Sequence, residues 1–130
     1  MIHDADHRER VVIDEQSLEQ FRMLERRGNT GFLARVVGKF LKTGPTLVAK
    51  IEQGLRDGDH QAVLDASHSL KSCSALVGAR ALSEHAAHLE TAAREDNADV
   101  FVIASGVELR ALLEDTCAVL RSMIETETPA

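Results

Sequence analysis

The sequence predicts an all-α fold, an antiparallel up-and-down four-helix bundle with an additional short N-terminal helix. Apolar residues recur mainly at spacings of three and four along the longest segments, which is the pattern of amphipathic helices. Hydrophobic residues make up 44% of the chain and aromatic residues only 3%, so the core must be aliphatic, which suits helices better than a β-sandwich. Short connections between these segments favour antiparallel neighbours.

The chain of 130 residues fits a single domain, which we place at residues 11–127. Residues 1–10 are polar and aperiodic, and we expect a disordered tail or a remnant of expression there. The short first helix is predicted to begin at an Asp14 N-cap, to carry Leu18, Phe21, Met23 and Leu24, and to end at Gly28-Asn29.

The second predicted helix covers residues 31–55, with Thr30 as its N-cap. Gly44-Pro45 interrupts the pattern, and because proline removes an amide donor, we expect a kink near residues 43–45 or two stacked helices. The turn Asp57-Gly58-Asp59 should end this segment, with Gly58 in a left-handed conformation and Asp59 as the next N-cap.

The remaining predicted helices cover residues 60–78, 79–94 and 98–124, with a turn at Glu95-Asp96-Asn97. The N-terminus has no apolar signal segment, and the apolar runs are too short to cross a membrane. The two cysteines, Cys73 and Cys117, are 44 residues apart, which is not the spacing of a disulfide scaffold or a zinc ribbon. We therefore expect two buried thiols and a cytoplasmic setting.

Composition disfavours several classes of function. Fifteen Lys and Arg against 21 Asp and Glu give a net charge of −6, which argues against binding to nucleic acid or to a membrane surface. The chain has no glycine-rich phosphate loop, so no ATP site of its own is predicted. Carboxylate pairs such as Glu114-Asp115 fall on caps or solvated faces, so acid/base hydrolysis of glycosides has no support.

His68 is predicted to point into solvent from the third helix. At about 100° per residue, it lies opposite an apolar stripe that faces the core. Leu64, Lys71, Ser72 and Ala75 fall within roughly 60° of His68. The stripe itself consists of Val63, Ala66, Leu70, Cys73 and Val77.

An exposed imidazole on a rigid helix can act as a nucleophile toward a phosphoryl group. Lys71, three residues on, can place positive charge beside the phosphoryl oxygens. The small Ser72 and Ala75 would let a partner's backbone approach, and Leu64 and Leu76 would offer apolar docking surface. The alternative is an ordinary surface histidine, because such His and Lys pairs are common on helices.

The segment SHSLKSCSALVGA at residues 67–79, followed by Leu82 and Leu89-Glu90, resembles the signature of histidine-containing phosphotransfer (HPt) domains. The likeness extends more loosely over most of residues 12–125 and implies a four-helix bundle with an N-terminal helix. It implies that His68 is phosphorylated, that Lys71 interacts with the phosphoryl group, and that Gly78 and Ala79 form a tight passage between helices. Ser72 departs from the family's usual glycine, and Ser67 from its common alanine.

The resemblance implies a phosphorelay intermediate rather than an enzyme. It would accept a phosphoryl group from the aspartate of a receiver domain, in a response regulator or hybrid sensor kinase, and pass it to another receiver. The receiver would supply Mg²⁺, so no cofactor of its own is expected. The runner-up, favoured by Ser72, is a helical module that binds receivers without carrying phosphate.

A third possibility is a metal-binding bundle that uses His85 and His88, which are three residues apart on one predicted helix. No third ligand has helical spacing to them, so unligated surface histidines are expected. We expect His60 to be solvated.

Overall fold

The computed structural model describes residues 31–95 and 106–127, together with positions 13, 16, 19, 20 and 23. It contains four helices within the two long ranges, α1 (Phe32–Asp57), α2 (His60–Leu76), α3 (Arg80–Arg94) and α4 (Gly106–Glu127). These described ranges contain no strand, so the all-α prediction is confirmed. The predicted tail, most of the predicted N-terminal helix and the predicted start of the last helix at Ala98 lie outside the described residues.

The helices form a bundle in which α1 packs against α2 and α4, and α3 packs against α2 and α4. A single core joins all four helices, and it is almost entirely aliphatic, as the composition predicted. Glu52 of α1 and Arg110 of α4 form a two-bond ion pair at 2.5 and 3.2 Å on the edge of this core. Within the described residues, no helix has the length and apolar character needed to cross a bilayer.

α1 is one helix of 26 residues that runs through Gly44 and Pro45, so the alternative of two stacked helices was wrong. Its buried stripe continues on both sides of the proline, from Leu33 to Ile51. Burial of this stripe holds both halves against the core and offsets the hydrogen bond that Pro45 cannot make. Gly31, with φ of 79°, occupies the N-cap position instead of the predicted Thr30.

The turns around α2 follow the prediction closely. Gly58 adopts a left-handed conformation with φ of 67°, and the Asp59 carboxylate accepts a hydrogen bond from the Ala62 amide at 3.1 Å. At the other end, Gly78 has φ of 75°, and the Ala79 amide donates to the Ser74 carbonyl at 2.8 Å. Both connections are short, so α2 runs antiparallel to α1 and to α3.

Candidate functional site

His68 lies on the solvent side of α2, as the helical period predicted. Its side chain is 63% exposed, whereas Val63 and Leu70 on the opposite side are fully buried. Cys73, also predicted in the core stripe, is only half-buried. The packed stripe fixes α2 to the core, so the imidazole stands on rigid support.

The side chain of Glu90, on α3, connects His68 to Lys71. The Glu90 Oε2 atom lies 2.6 Å from His68 Nδ1, and its Oε1 atom accepts a hydrogen bond from Lys71 Nζ at 2.6 Å. Arg94, one turn further along α3, also donates to Oε2 at 3.2 Å. One carboxylate therefore holds three nitrogen-bearing side chains, which include both residues of the predicted site.

Glu90 is ionised because of these partners. Its side chain is only 6% exposed, and burial alone would favour the neutral acid. The hydrogen bond from Lys71, with a smaller contribution from His68, outweighs this burial and lowers the pKa of Glu90 below its ordinary value. A buried carboxylate is tolerated when it is paired in this way.

Both α2 and α3 bury small side chains, which permit close packing of the two helices. Ser67 of α2 and Ala79, Ala86 and Ala93 around α3 are all buried. The Ser67 hydroxyl donates to the Val63 carbonyl at 2.5 Å, so serine is accommodated where the family commonly has alanine. The close approach brings the Glu90 side chain within reach of the solvent face of α2.

Lys71 is held more firmly than the prediction of a solvent-facing lysine suggested. Its side chain is 36% exposed and is tied to Glu90, and its backbone carbonyl accepts a hydrogen bond from the Ser83 hydroxyl at 3.0 Å. The ammonium group therefore has a defined position beside His68 and does not move freely in solvent.

The hydrogen bond to Glu90 assigns the histidine tautomer. An ionised carboxylate only accepts hydrogen bonds, so Nδ1 must carry a proton, and in the neutral form of the ring the lone pair is then on Nε2. Nε2 makes no hydrogen bond with the described residues, and it belongs to the exposed ring. In that neutral form, Nε2 is a nitrogen nucleophile on the exposed side of an oriented ring.

The residues predicted to form a docking surface surround His68. Leu76 is 60% exposed, Ser72 and Ala75 are also exposed, and Leu64 is half-buried. The Ser72 hydroxyl donates to the His68 carbonyl at 3.3 Å, so it is directed along its own helix. Docking through these four side chains stays a prediction.

Other candidates do not converge on a site. His88 is exposed and His85 is half-buried, and no group of three His, Cys, Asp or Glu side chains with metal-site geometry occurs in the part of the chain that the structure describes. Burial raises the pKa of the Cys73 and Cys117 thiols, which makes them poor nucleophiles. His60 is half-buried rather than fully solvated.

Besides the resemblance, which includes Leu89-Glu90, the helical pattern of the sequence contained a signal that pointed to Glu90. On α3, the buried Leu82, Ala86, Leu89 and Ala93 define a core-facing arc, and Glu90 falls beside Ala86 at the edge of that arc. A charged residue on an apolar face requires a partner from a neighbouring helix. The partner itself could not be read from the pattern.

The chain is similar to known phosphotransfer proteins. A comparison with curated protein sequences finds no match. Among solved structures, the histidine-containing phosphotransfer protein ZmHP2 from maize is similar, with a TM-score of 0.79 and 25% identity over 89% of this chain and 85% of that chain. The Hpt domain family matches residues 35–125, a range that includes His68, Lys71 and Glu90. The chain therefore belongs to the Hpt domain family, and its role is histidine phosphotransfer in a phosphorelay.

Proposed function

We propose that His68 carries the phosphoryl group, which it accepts from the aspartate of one receiver domain and passes to the aspartate of another. The observation that carries this proposal is that the two nitrogens of the His68 ring have different surroundings. Nδ1 is held by a buried carboxylate, while Nε2 belongs to an exposed ring and has no partner among the described residues.

In the transfer step, the lone pair of His68 Nε2 attacks phosphorus in the aspartyl phosphate. The new N–P bond forms as the P–O bond to the aspartate breaks, and the aspartate leaves as a carboxylate with the electron pair. The imidazole, still protonated on Nδ1, becomes positively charged. Glu90, 2.6 Å from Nδ1, stabilises that charge, and the reverse sequence delivers the phosphoryl group to the second receiver.

Lys71 supplies positive charge to the phosphoryl oxygens. Its ammonium group has three donors, so the hydrogen bond to Glu90 leaves two for the transferred group. In this proposal Mg²⁺ comes from the receiver, and the chain contributes a nucleophile, a cation and a docking surface without kinase activity of its own. The two free cysteines favour a cytoplasmic setting for the reaction.

Phosphoryl transfer tests the proposal directly. The protein is incubated with Mg²⁺ and a receiver domain carrying ³²P on its aspartate, and we expect label on the protein that is acid-labile and alkali-stable. The His68→Gln variant should take up none, whereas His88→Gln, which removes an exposed histidine of α3, should be labelled normally. Label that persists in His68→Gln contradicts the assignment.

The second candidate is a module that binds receivers without carrying phosphate. Ser72 favours it, because an exposed side chain stands one turn after His68 where the family usually has none. In that case, the wild-type protein should bind the receiver without acquiring label, and Ser72→Gly should restore transfer. In the leading proposal, Ser72→Gly only tunes the rate of transfer.

A further inference from the structure

α1 carries a row of exposed basic side chains, which we call the α1 basic face. Arg35, Lys39, Lys42, Lys50 and Arg56 are all exposed, and all five project within about 60° of the direction of Arg35. Both carboxylates of this helix are engaged, since Glu52 pairs with Arg110 and Asp57 accepts hydrogen bonds from Gln53. The helix has five cations and two carboxylates in a chain whose net charge is −6.

Most cations on the other helices are neutralised, in contrast to those of the α1 basic face. Four of the five cations on α2, α3 and α4 pair with a glutamate, namely Lys71, Arg80, Arg94 and Arg110. Arg35, Lys39, Lys42 and Lys50 form no ion pair with any described residue. Their charge is therefore available to a partner.

The α1 basic face borders the surface that contains His68. The charged and polar side chains that line a groove between α1 and α2 are Lys50, Gln53 and Asp57 on the α1 side, Asp65 and Ser69 on the α2 side, and Asp59 in the turn between the helices. Ser69 is the residue after His68. Because the two helices are antiparallel, Lys42 and Lys39 continue from Lys50 along α2 toward its exposed Leu76.

We propose that the α1 basic face is the electrostatic part of the docking surface for the receiver domain, which meets it with an acidic surface beside its phosphorylatable aspartate. This inference rests on the proposed function. A partner that holds Mg²⁺ at its aspartate does so with carboxylates, so the charges of the two surfaces are complementary.

The composition of the face favours a protein over a membrane or a nucleic acid. The large exposed hydrophobic side chains of the described chain are Met23, Leu76 and Val119, and none of them belongs to α1. Insertion into lipid requires such side chains, and stacking on bases requires exposed aromatic rings. The net charge of −6 also repels an extended polyanion.

Exposed cations of this kind act on the rate of association. They add little to the stability of the fold, but they accelerate encounter with an oppositely charged partner and orient it. The acceleration falls as salt screens the charges. Transfer within the bound complex should depend on His68, Lys71 and Glu90 and be independent of the α1 basic face.

The test compares two double variants that remove the same charge. Lys39→Gln/Lys42→Gln removes two cations from the α1 basic face, and Arg80→Gln/Arg121→Gln removes two exposed cations from α3 and α4. Stopped-flow association with a fluorescently labelled receiver domain is measured at low and high salt. At low salt we expect the first variant to associate about fivefold more slowly, and the control to change less than about twofold. High salt should remove the difference.

Equal slowing of association by both variants overturns the inference, because the net charge of the protein would then control docking. No slowing by either variant also overturns it, because neither surface would then contribute to docking. Loss of binding to anionic phosphatidylglycerol vesicles in Lys39→Gln/Lys42→Gln, with unchanged receiver association, overturns it as well. Association is read without phosphoryl transfer. A protein that associates in this salt-dependent way but acquires no label contradicts the proposed function and leaves the docking surface supported.

Discussion

At His68, one ring nitrogen faces a buried carboxylate and the other is on the solvent side of the ring, and in the proposed transfer this asymmetry decides which nitrogen reacts. An isolated surface histidine exchanges between tautomers and rotates freely. Glu90 removes both freedoms, since a charged acceptor 2.6 Å away fixes the proton on Nδ1 and the orientation of the ring. In the proposed mechanism, Glu90 is thus a positioning residue that acts through His68.

Glu90→Gln tests this positioning. A glutamine amide can donate or accept, so the preference for a proton on Nδ1 should weaken, and the phosphoryl transfer rate should fall about 10- to 100-fold. The ¹⁵N chemical shifts of the His68 ring report the tautomer and should move toward a mixture. Glu84→Gln, at an exposed position of the same helix, is the matched control. An unchanged tautomer together with a normal transfer rate rules out the assigned role.

Lys71→Ala tests the assigned cation. Loss of one charge-assisted hydrogen bond to the phosphoryl group should slow transfer about tenfold and shorten the lifetime of phosphohistidine. The fold should be retained, because His68 and Arg94 still pair with the Glu90 carboxylate, and the hydrogen bond from the Ser83 hydroxyl to the backbone carbonyl of residue 71 survives the substitution. Transfer kinetics, label decay and thermal unfolding measure these effects, with Arg80→Ala as the control. If Lys71→Ala transfers the phosphoryl group at the wild-type rate, Lys71 has no role in transfer and only a structural contact with Glu90.

At the scale of helices, two glycines of α1 have opposite surroundings. A Cβ at Gly54 would lie 2.7 Å from Val63 Cγ2 of α2, whereas a Cβ at Gly38 would meet nothing within 4 Å. Gly38→Ala should therefore stabilise the protein by about 1 kcal/mol through helix propensity. Gly54→Ala should destabilise it by about 1–3 kcal/mol, because α1 and α2 must move apart. The free energy of unfolding of each variant, measured in urea, distinguishes the two effects. Stabilisation by both substitutions would show that α1 and α2 can accommodate a Cβ at Gly54 without cost.

The helices also show which parts of the site the sequence could predict. The direction of His68 depends on the period of one helix, so the apolar stripe of α2 was sufficient to predict it. The contact between His68 and Glu90 depends on the distance between α2 and α3 and on their register across Gly78, and no property of either helix alone supplies these. Pro45 suggested two stacked helices, but α1 is one helix. The packing of α1 on its neighbours outweighs the local tendency of proline to end a helix.

At the scale of the whole molecule, one core is shared by all four helices. A domain built in this way should unfold in a single cooperative transition. A change in the charge of Glu90 therefore affects the stability of the entire bundle. The bundle in turn keeps α2 and α3 at the separation that the His68, Lys71 and Glu90 contacts require.

This coupling predicts how stability depends on pH. The pKa of Glu90 is lowered in the folded protein, so the unfolded chain takes up a proton first as the pH falls. The stabilisation is complete above the ordinary glutamate pKa of about 4.3 and is lost as the pH drops through the lowered value. Urea unfolding between about pH 7 and pH 3 should show wild type more stable than Glu90→Gln by about 1–2 kcal/mol at neutral pH, with the difference vanishing in acid. A difference that stays constant to pH 3 would mean that the ionised carboxylate contributes nothing to the stability of the fold.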